Sequence, residues 1–259
     1  MTAGVMITMG REWMGFGIRF STQSGDEGPG FSNHTGDWFV DDEGEEFLIH
    51  STAKGTVCSH DWLALYDNSK HWGVVAVPLG YTEDQHYAVL SKAREYEGRD
   101  YDWAAIAKHF LDGMAGKIAG RPVYFFRRFR LKFWERQERY NICSWLSCWT
   151  WGVDEVKICS WLSCWTWGTR EVKHRVVGLV RDKATWQWWP PKLKRTYRKE
   201  PLSCEFVAPN DWERDIFVHR PGRYRVVREF GVRPKNLPAG YIAKIHADLQ
   251  LGMDGVQAA

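Results

Sequence analysis

The chain has 259 residues, 44% of them hydrophobic and 26% charged, with a formal net charge of +3 and a pI near 8.5. That length and composition suit a globular protein of one large domain or two small ones, and the charge is too mild to imply a nucleic-acid partner. No apolar run reaches the roughly 18 residues of a membrane span, and Met1–Arg11 lacks the charged and apolar regions of a signal peptide, so a cytoplasmic protein is expected, with release by another route left open.

In chain order, Met6–Phe20 predicts an opening strand region. Residues 25–35, rich in Gly, Asp, Ser and Pro, predict a loop. Trp38–Val40 and Phe47–Ile49 flank a polar turn that contains Gly44, the pattern of a β-hairpin. His34 sits just ahead of its first strand and His50 ends its second. Gly73–Leu79 predicts a short buried strand. Thr82 is a good N-cap for a helix over 82–96. Residues 97–102 predict a turn, and 103–114 a second helix with an apolar face. Over 121–139 aromatic and basic residues interleave, and the period leaves helix and strand both open.

Residues 142–173 are a tandem duplication: ICSWLSCWTWGVDEVK is followed at once by ICSWLSCWTWGTREVK. The copies differ only at Val153/Thr169 and Asp154/Arg170, and they hold six of the 16 tryptophans. Two copies are too few for a solenoid. Each could be a helix stopped by Gly152 or Gly168, although the β-branched and aromatic content also allows a strand. Residues 174–203 predict a basic, Trp-rich insertion with a break at Pro190-Pro191. Val207–Trp212 predicts a helix start and Tyr224–Val227 a closing strand. Residues 231–259 are weakly patterned and predict a partly disordered tail.

Four of the six cysteines come from the duplication: Cys143, Cys148, Cys159 and Cys164, the others being Cys58 and Cys204. In a cytosolic protein these are expected as thiols, metal ligands or a nucleophile rather than as disulfides. A thiolate is favoured at a helix N-terminus beside a histidine. Cys143 meets the first condition, since Tyr140-Asn141-Ile142 leads into it and a helix-compatible run follows. Cys148 and Cys164 lie five residues after their partners, about 140° around a helix, and are expected to pack. The C-x4-C symmetry follows from the duplication, so it predicts no zinc site.

Five segments, in this order, carry a resemblance. They are Phe31-Ser32-Asn33-His34-Thr35-Gly36; Leu48-Ile49-His50-Ser51 with Lys54-Gly55-Thr56-Val57; Gly98-Arg99-Asp100-Tyr101-Asp102; Asn141-Ile142-Cys143-Ser144-Trp145-Leu146; and Ala208-Pro209-Asn210-Asp211-Trp212. Their order and spacing resemble the circularly permuted papain-like cysteine hydrolases of the NlpC type, including YiiX-like proteins and the lecithin retinol acyltransferase group.

The resemblance implies an α+β fold, an antiparallel sheet packed against a nucleophile-bearing helix, over residues 1–230. It implies Cys143 as nucleophile, His34 as base and His50 as the group that orients His34. In many permuted members the last position is acidic; in the acyltransferase group it is histidine. Two features depart from the pattern. Asp37-Trp38 stands where an aliphatic strand usually follows the histidine box, and the duplication offers Cys159 as a second nucleophile in the same downstream context. The preceding residues favour Cys143.

The implied activity is a thiol hydrolase or acyltransferase acting on an amide or ester: a peptide, a peptidoglycan-type amide or a lipid ester. No metal or organic cofactor is required. The basic stretches 121–139 and 192–199 suit an anionic surface, or simply a solvated face. The rival expectation is a non-catalytic binding or structural protein on the same fold, with the site spoiled by the duplication.

Overall fold

The computed structural model describes residues 1–12, 30–119, 180–187, 194–201 and 209–257, and single positions between them that include 140, 141, 143, 147, 150 and 151. The protein is α+β. Its centre is a six-stranded antiparallel sheet made of β1 (Thr2–Gly10), β2 (His34–Val40), β3 (Glu46–Thr52), β4 (Gly55–Ser59), β5 (His71–Pro78) and β10 (Tyr224–Gly231), in the order β10-β5-β1-β2-β3-β4.

Both faces of this sheet are covered. That explains why β1 and β5 read as continuous apolar runs without alternation. On one face Val5, Ile7, Phe39, Ile49 and Val74 pack with Val89 and Ala93 of α2 (Glu83–Arg94), with Trp212 of α4 (Pro209–Arg214) and with Tyr241 and Ile245 of α5 (Ala239–Gln257). On the other, Met6, Trp38, Leu48, Val75 and Phe230 pack with Trp62 of the short helix α1 (Trp62–Tyr66). α3 (Trp103–Ala119) follows the two-residue strand β6 (Asp100–Tyr101).

The expected hairpin is β2–β3, with Trp38 opposite Leu48 and Phe39 opposite Phe47. α2 begins where expected. Thr82 accepts from Gln85 N–H and the Gln85 side chain accepts from Thr82 N–H, closing a capping box. Other boundaries differ. β1 starts at Thr2 and stops at Gly10, short of the expected Phe20. α1 and β4 carry too few residues for a periodic signal. The expected tail contains α5, whose residues Tyr241 and Ile245 are buried against the sheet, so the core extends past residue 230. Tyr241, Ile245 and Leu249 keep the four-residue spacing of one helix face, although Gly, Ala and polar residues surround them.

The basic insertion contains an antiparallel pair, β8 (Val180–Gln187) with β9 (Lys194–Pro201). The segment 120–139, Cys148 and the whole second repeat copy with Cys159 and Cys164 lie outside the described residues, as do Pro190-Pro191 and Cys204.

The turn at 97–102 is fastened to the sheet edge. Thr56 N–H donates to Arg99 O at 2.8 Å and Gly98 N–H donates to Thr56 O at 2.9 Å. Gly55 makes the approach possible: its φ is +106°, and a Cβ there would lie 2.6 Å from Arg99 O. Gly55→Ala should therefore cost about 1–3 kcal/mol in urea unfolding, because the residue is both strained and obstructed. Unchanged stability would show that the turn can retreat freely.

Candidate active site

His34 opens β2 and His50 lies near the end of β3. Both share the alternation of Trp38 and Leu48 along their strands, so they lie on the face covered by α1. Gly36 lets them meet, since a Cβ there would come within 2.9 Å of His50 Cβ. His34 Nε2 is 3.1 Å from His50 Nδ1, and the rings meet edge to face with centroids 5.3 Å apart. His50 Nε2 is 3.1 Å from Ser59 Oγ on β4. The Tyr66 hydroxyl of α1 is 3.0 Å from His50 Nδ1, and the Tyr66 ring stacks on His34 at 5.8 Å.

Burial sets the charge of this pair. His34 is held well below the usual histidine range by desolvation, then by the neighbouring His50 and His71. His50 is lowered to about 4 by desolvation. Both rings are therefore neutral at pH 7.

The residues ahead of His34 are tied down from two sides. Asn33 donates its N–H to Thr8 O at 2.9 Å, accepts from Gly10 N–H at 2.9 Å and donates from Nδ2 to Gly10 O at 2.8 Å. Glu213 of α4 is buried and accepts from Phe31 N–H at 2.7 Å and Ser32 N–H at 2.6 Å. Tyr241 of α5 also donates to Glu213, at 3.2 Å. The Ala208–Trp212 segment noted in the sequence thus leads into the residue that anchors the histidine loop.

Cys143 is a buried thiol, 3% exposed, in helical backbone with Ser147 and Thr150. The i, i+4, i+7 spacing puts these three on one helix face. Just before Cys143, β7 (Tyr140–Asn141) pairs in parallel with β6, Tyr101 opposite Asn141. The fastened turn at 97–102 therefore holds the backbone that leads into Cys143.

The sulfur lies close enough to two phenols to act on them electrostatically. Tyr66 is raised by burial and then by Cys143, and Tyr101 is raised by burial, by Cys143 and by Asp102. Tyr66 is also the residue that touches both histidines.

The helix after Cys143 is pinned to β2 by Asp37. Trp151 Nε1–H donates to Asp37 Oδ1 at 3.0 Å, and Trp151 is 1% exposed among Phe39 and Ile49. The hydroxyls of Ser147 and Thr150 lie beside the same carboxyl. Neither completes a hydrogen bond of normal geometry, and Asp37 Oδ2 has no hydrogen-bond partner. Desolvation raises Asp37 to about 7, with Ser147, Trp151 and Thr150 pulling the other way. The departure at Asp37 and the tryptophans of the repeat are thus two halves of one contact.

Among the described residues, no group of three or more His, Cys, Asp or Glu could hold a metal ion. Among the same residues, no helix is long and apolar enough to cross a membrane. Of the residues singled out in the sequence, His34 and His50 meet side by side and Cys143 is a buried thiol; Tyr66, Ser59, Asp37 and Glu213, which contact or anchor them, were not singled out as site residues. Only Asp37 carried a signal, as a charged residue where an aliphatic one was expected.

Compared with family models, curated proteins and solved structures, the chain matches none.

Proposed function

We propose that the protein is a thiol-dependent hydrolase or acyltransferase on a permuted papain-like fold, with Cys143 as nucleophile, His34 as base and His50 as the residue that orients His34. The observation that carries this reading is the convergence on Tyr66. Its hydroxyl is on His50, its ring is on His34, and Cys143 is close enough to help hold its phenol protonated.

In this reading His34 Nε2–H donates to His50 Nδ1, and His34 Nδ1 takes the Cys143 proton. The thiolate sulfur bonds to the carbonyl carbon of an amide or ester, and the carbonyl π pair moves to oxygen. Collapse breaks the bond to the amine or alkoxide, which leaves with the proton from His34. Water, or an acceptor alcohol or amine, then resolves the acyl-cysteine. Peptides, peptidoglycan-type amides and lipid esters all present such a carbonyl.

The first repeat copy is taken to supply this site, since Cys143 of that copy acts electrostatically on Tyr66, the residue that touches both histidines. The test uses p-nitrophenyl acetate and intact-mass analysis with peptide mapping. Cys143 should carry the acetyl group, Cys159→Ser should retain acylation, and Cys143→Ala should lose it. Acylation at Cys58, Cys159 or Cys204 that survives Cys143→Ala would defeat the assignment.

A further inference from the structure

The Tyr66 hydroxyl lies 3.0 Å from His50 Nδ1, and the Tyr66 ring stacks on His34. We propose that Tyr66 is a positioning residue that fixes the tautomers of His50 and His34, so that His34 presents an unprotonated Nδ1 to the Cys143 thiol. This rests on the reading of Cys143 and His34 as nucleophile and base.

His50 Nδ1 has two polar neighbours, the Tyr66 hydroxyl at 3.0 Å and His34 Nε2 at 3.1 Å, while His50 Nε2 faces Ser59 Oγ at 3.1 Å. A neutral imidazole has one N–H and one lone pair. Were the proton on Nδ1, it could serve only one of its two neighbours well, and the buried phenol would have to donate elsewhere. With the lone pair on Nδ1, Tyr66 O–H and His34 Nε2–H share it as a bifurcated acceptor, no donor is aimed at another donor, and His50 Nε2–H donates to Ser59 Oγ. His34 carries its proton on Nε2 as a consequence, and its Nδ1 is the basic atom.

Tyr66 is built to hold this position. Trp62, one turn earlier in α1, is 1% exposed and packs with Trp38, Leu48 and Phe230. Asp67 N–H donates to Leu63 O at 2.6 Å, and Asp67 Oδ1 accepts from Gly231 N–H at 2.7 Å, tying the helix end to β10. The nearby His71 does not compete for the phenol, because its Nδ1 is engaged by Asn68 Oδ1 at 2.9 Å. It meets the Tyr66 ring edge to face instead.

The test is long-range 1H–15N correlation on the uniformly 15N-labelled full chain at pH 7.5, beside p-nitrophenyl acetate kinetics. The wild type should show His50 protonated at Nε2 and His34 protonated at Nε2. Tyr66→Phe keeps the ring and removes the donor. It should mix the His50 tautomers and lower kcat about fivefold, with KM unchanged, the size of one neutral hydrogen bond. Placing 3-fluorotyrosine at 66 keeps the shape and makes the hydroxyl a stronger donor, so the His50 Nδ1 resonance should move the opposite way.

A folded Tyr66→Phe protein with wild-type tautomers overturns the proposal. Should that variant fail to fold, an unmoved His50 resonance in the fluorotyrosine protein overturns it equally. Tautomers that respond in a protein whose Cys143 is never acylated would uphold the control of the imidazoles and defeat the thiol reading instead.

Discussion

His34→Ala is expected to slow acylation of Cys143 by p-nitrophenyl acetate at pH 7 by about 10²- to 10⁴-fold, the range that a positioned general base contributes. A cysteine of ordinary acidity, near 8.5, is only a few per cent thiolate at neutral pH. Without His34 the rate should rise with pH through the titration of the thiol alone. With His34 the profile should be flat through neutrality and fall only on the acid side. Burial and the neighbouring His50 hold His34 well below the usual histidine range, so that fall belongs below pH 6.5. The variant should fold, because His34 sits half-buried at the first position of β2 and leaves the strand pairing of residues 35–40 intact. A rate within threefold of wild type would remove His34 from the mechanism.

Much of this site was legible because its backbone setting is local. His34 and His50 flank a hairpin whose register follows from apolar runs on either side of a polar turn, and Cys143 stands where a helix can begin. What stayed hidden depends on contacts far apart in the chain. Tyr66 ends a five-residue helix with no periodicity to detect, and it matters only because α1 folds back over the face that carries both histidines. Glu213 looks like any acidic helix residue until α4 brings it to Phe31 and Ser32, more than 180 residues away in sequence. α5 escaped notice for a different reason. Tyr241, Ile245 and Leu249 keep a helical spacing, but the Gly- and Ala-rich residues on either side give the segment the look of a tail although the sheet needs it as a cover. Asp37 was visible as an irregularity, but its meaning came from Trp151, 114 residues later.

Asp37→Asn is expected to stabilise the protein above neutral pH and to change nothing at pH 4. Asp37 is raised from 3.8 to about 7 in the folded protein. The folded state therefore holds a proton between those values that the unfolded state has released. Stability falls as pH rises across that window, and above pH 7 the whole penalty is present, roughly 4 kcal/mol. Asparagine keeps an oxygen for the Trp151 indole N–H and places a donor amide beside Ser147 and Thr150, without the buried charge. At pH 8 the melting temperature should rise by up to about 10 °C. Alanine is the contrasting variant, because it leaves the indole N–H without its acceptor, at about 1–3 kcal/mol.

The histidines act with the opposite sign. His50 is lowered to about 4, so its contribution is complete above about pH 6.5 and is lost as pH falls toward 4, on the order of 3 kcal/mol. In the wild type the two slopes oppose each other between pH 4 and 6.5 and flatten the profile. Removing the carboxyl should uncover the histidine slope, so Asp37→Asn should gain stability with pH more steeply than wild type across that interval. A constant difference in melting temperature from pH 4 to 8 would show that Asp37 is not the group that holds this proton. The outcome also bears on the thiol. The carboxyl reaches from β2 to Ser147 and Thr150, one and two turns after Cys143 on the same helix face, so a neutral Asp37 that hydrogen-bonds either hydroxyl would fix the cysteine helix on the sheet more firmly than the ionised form.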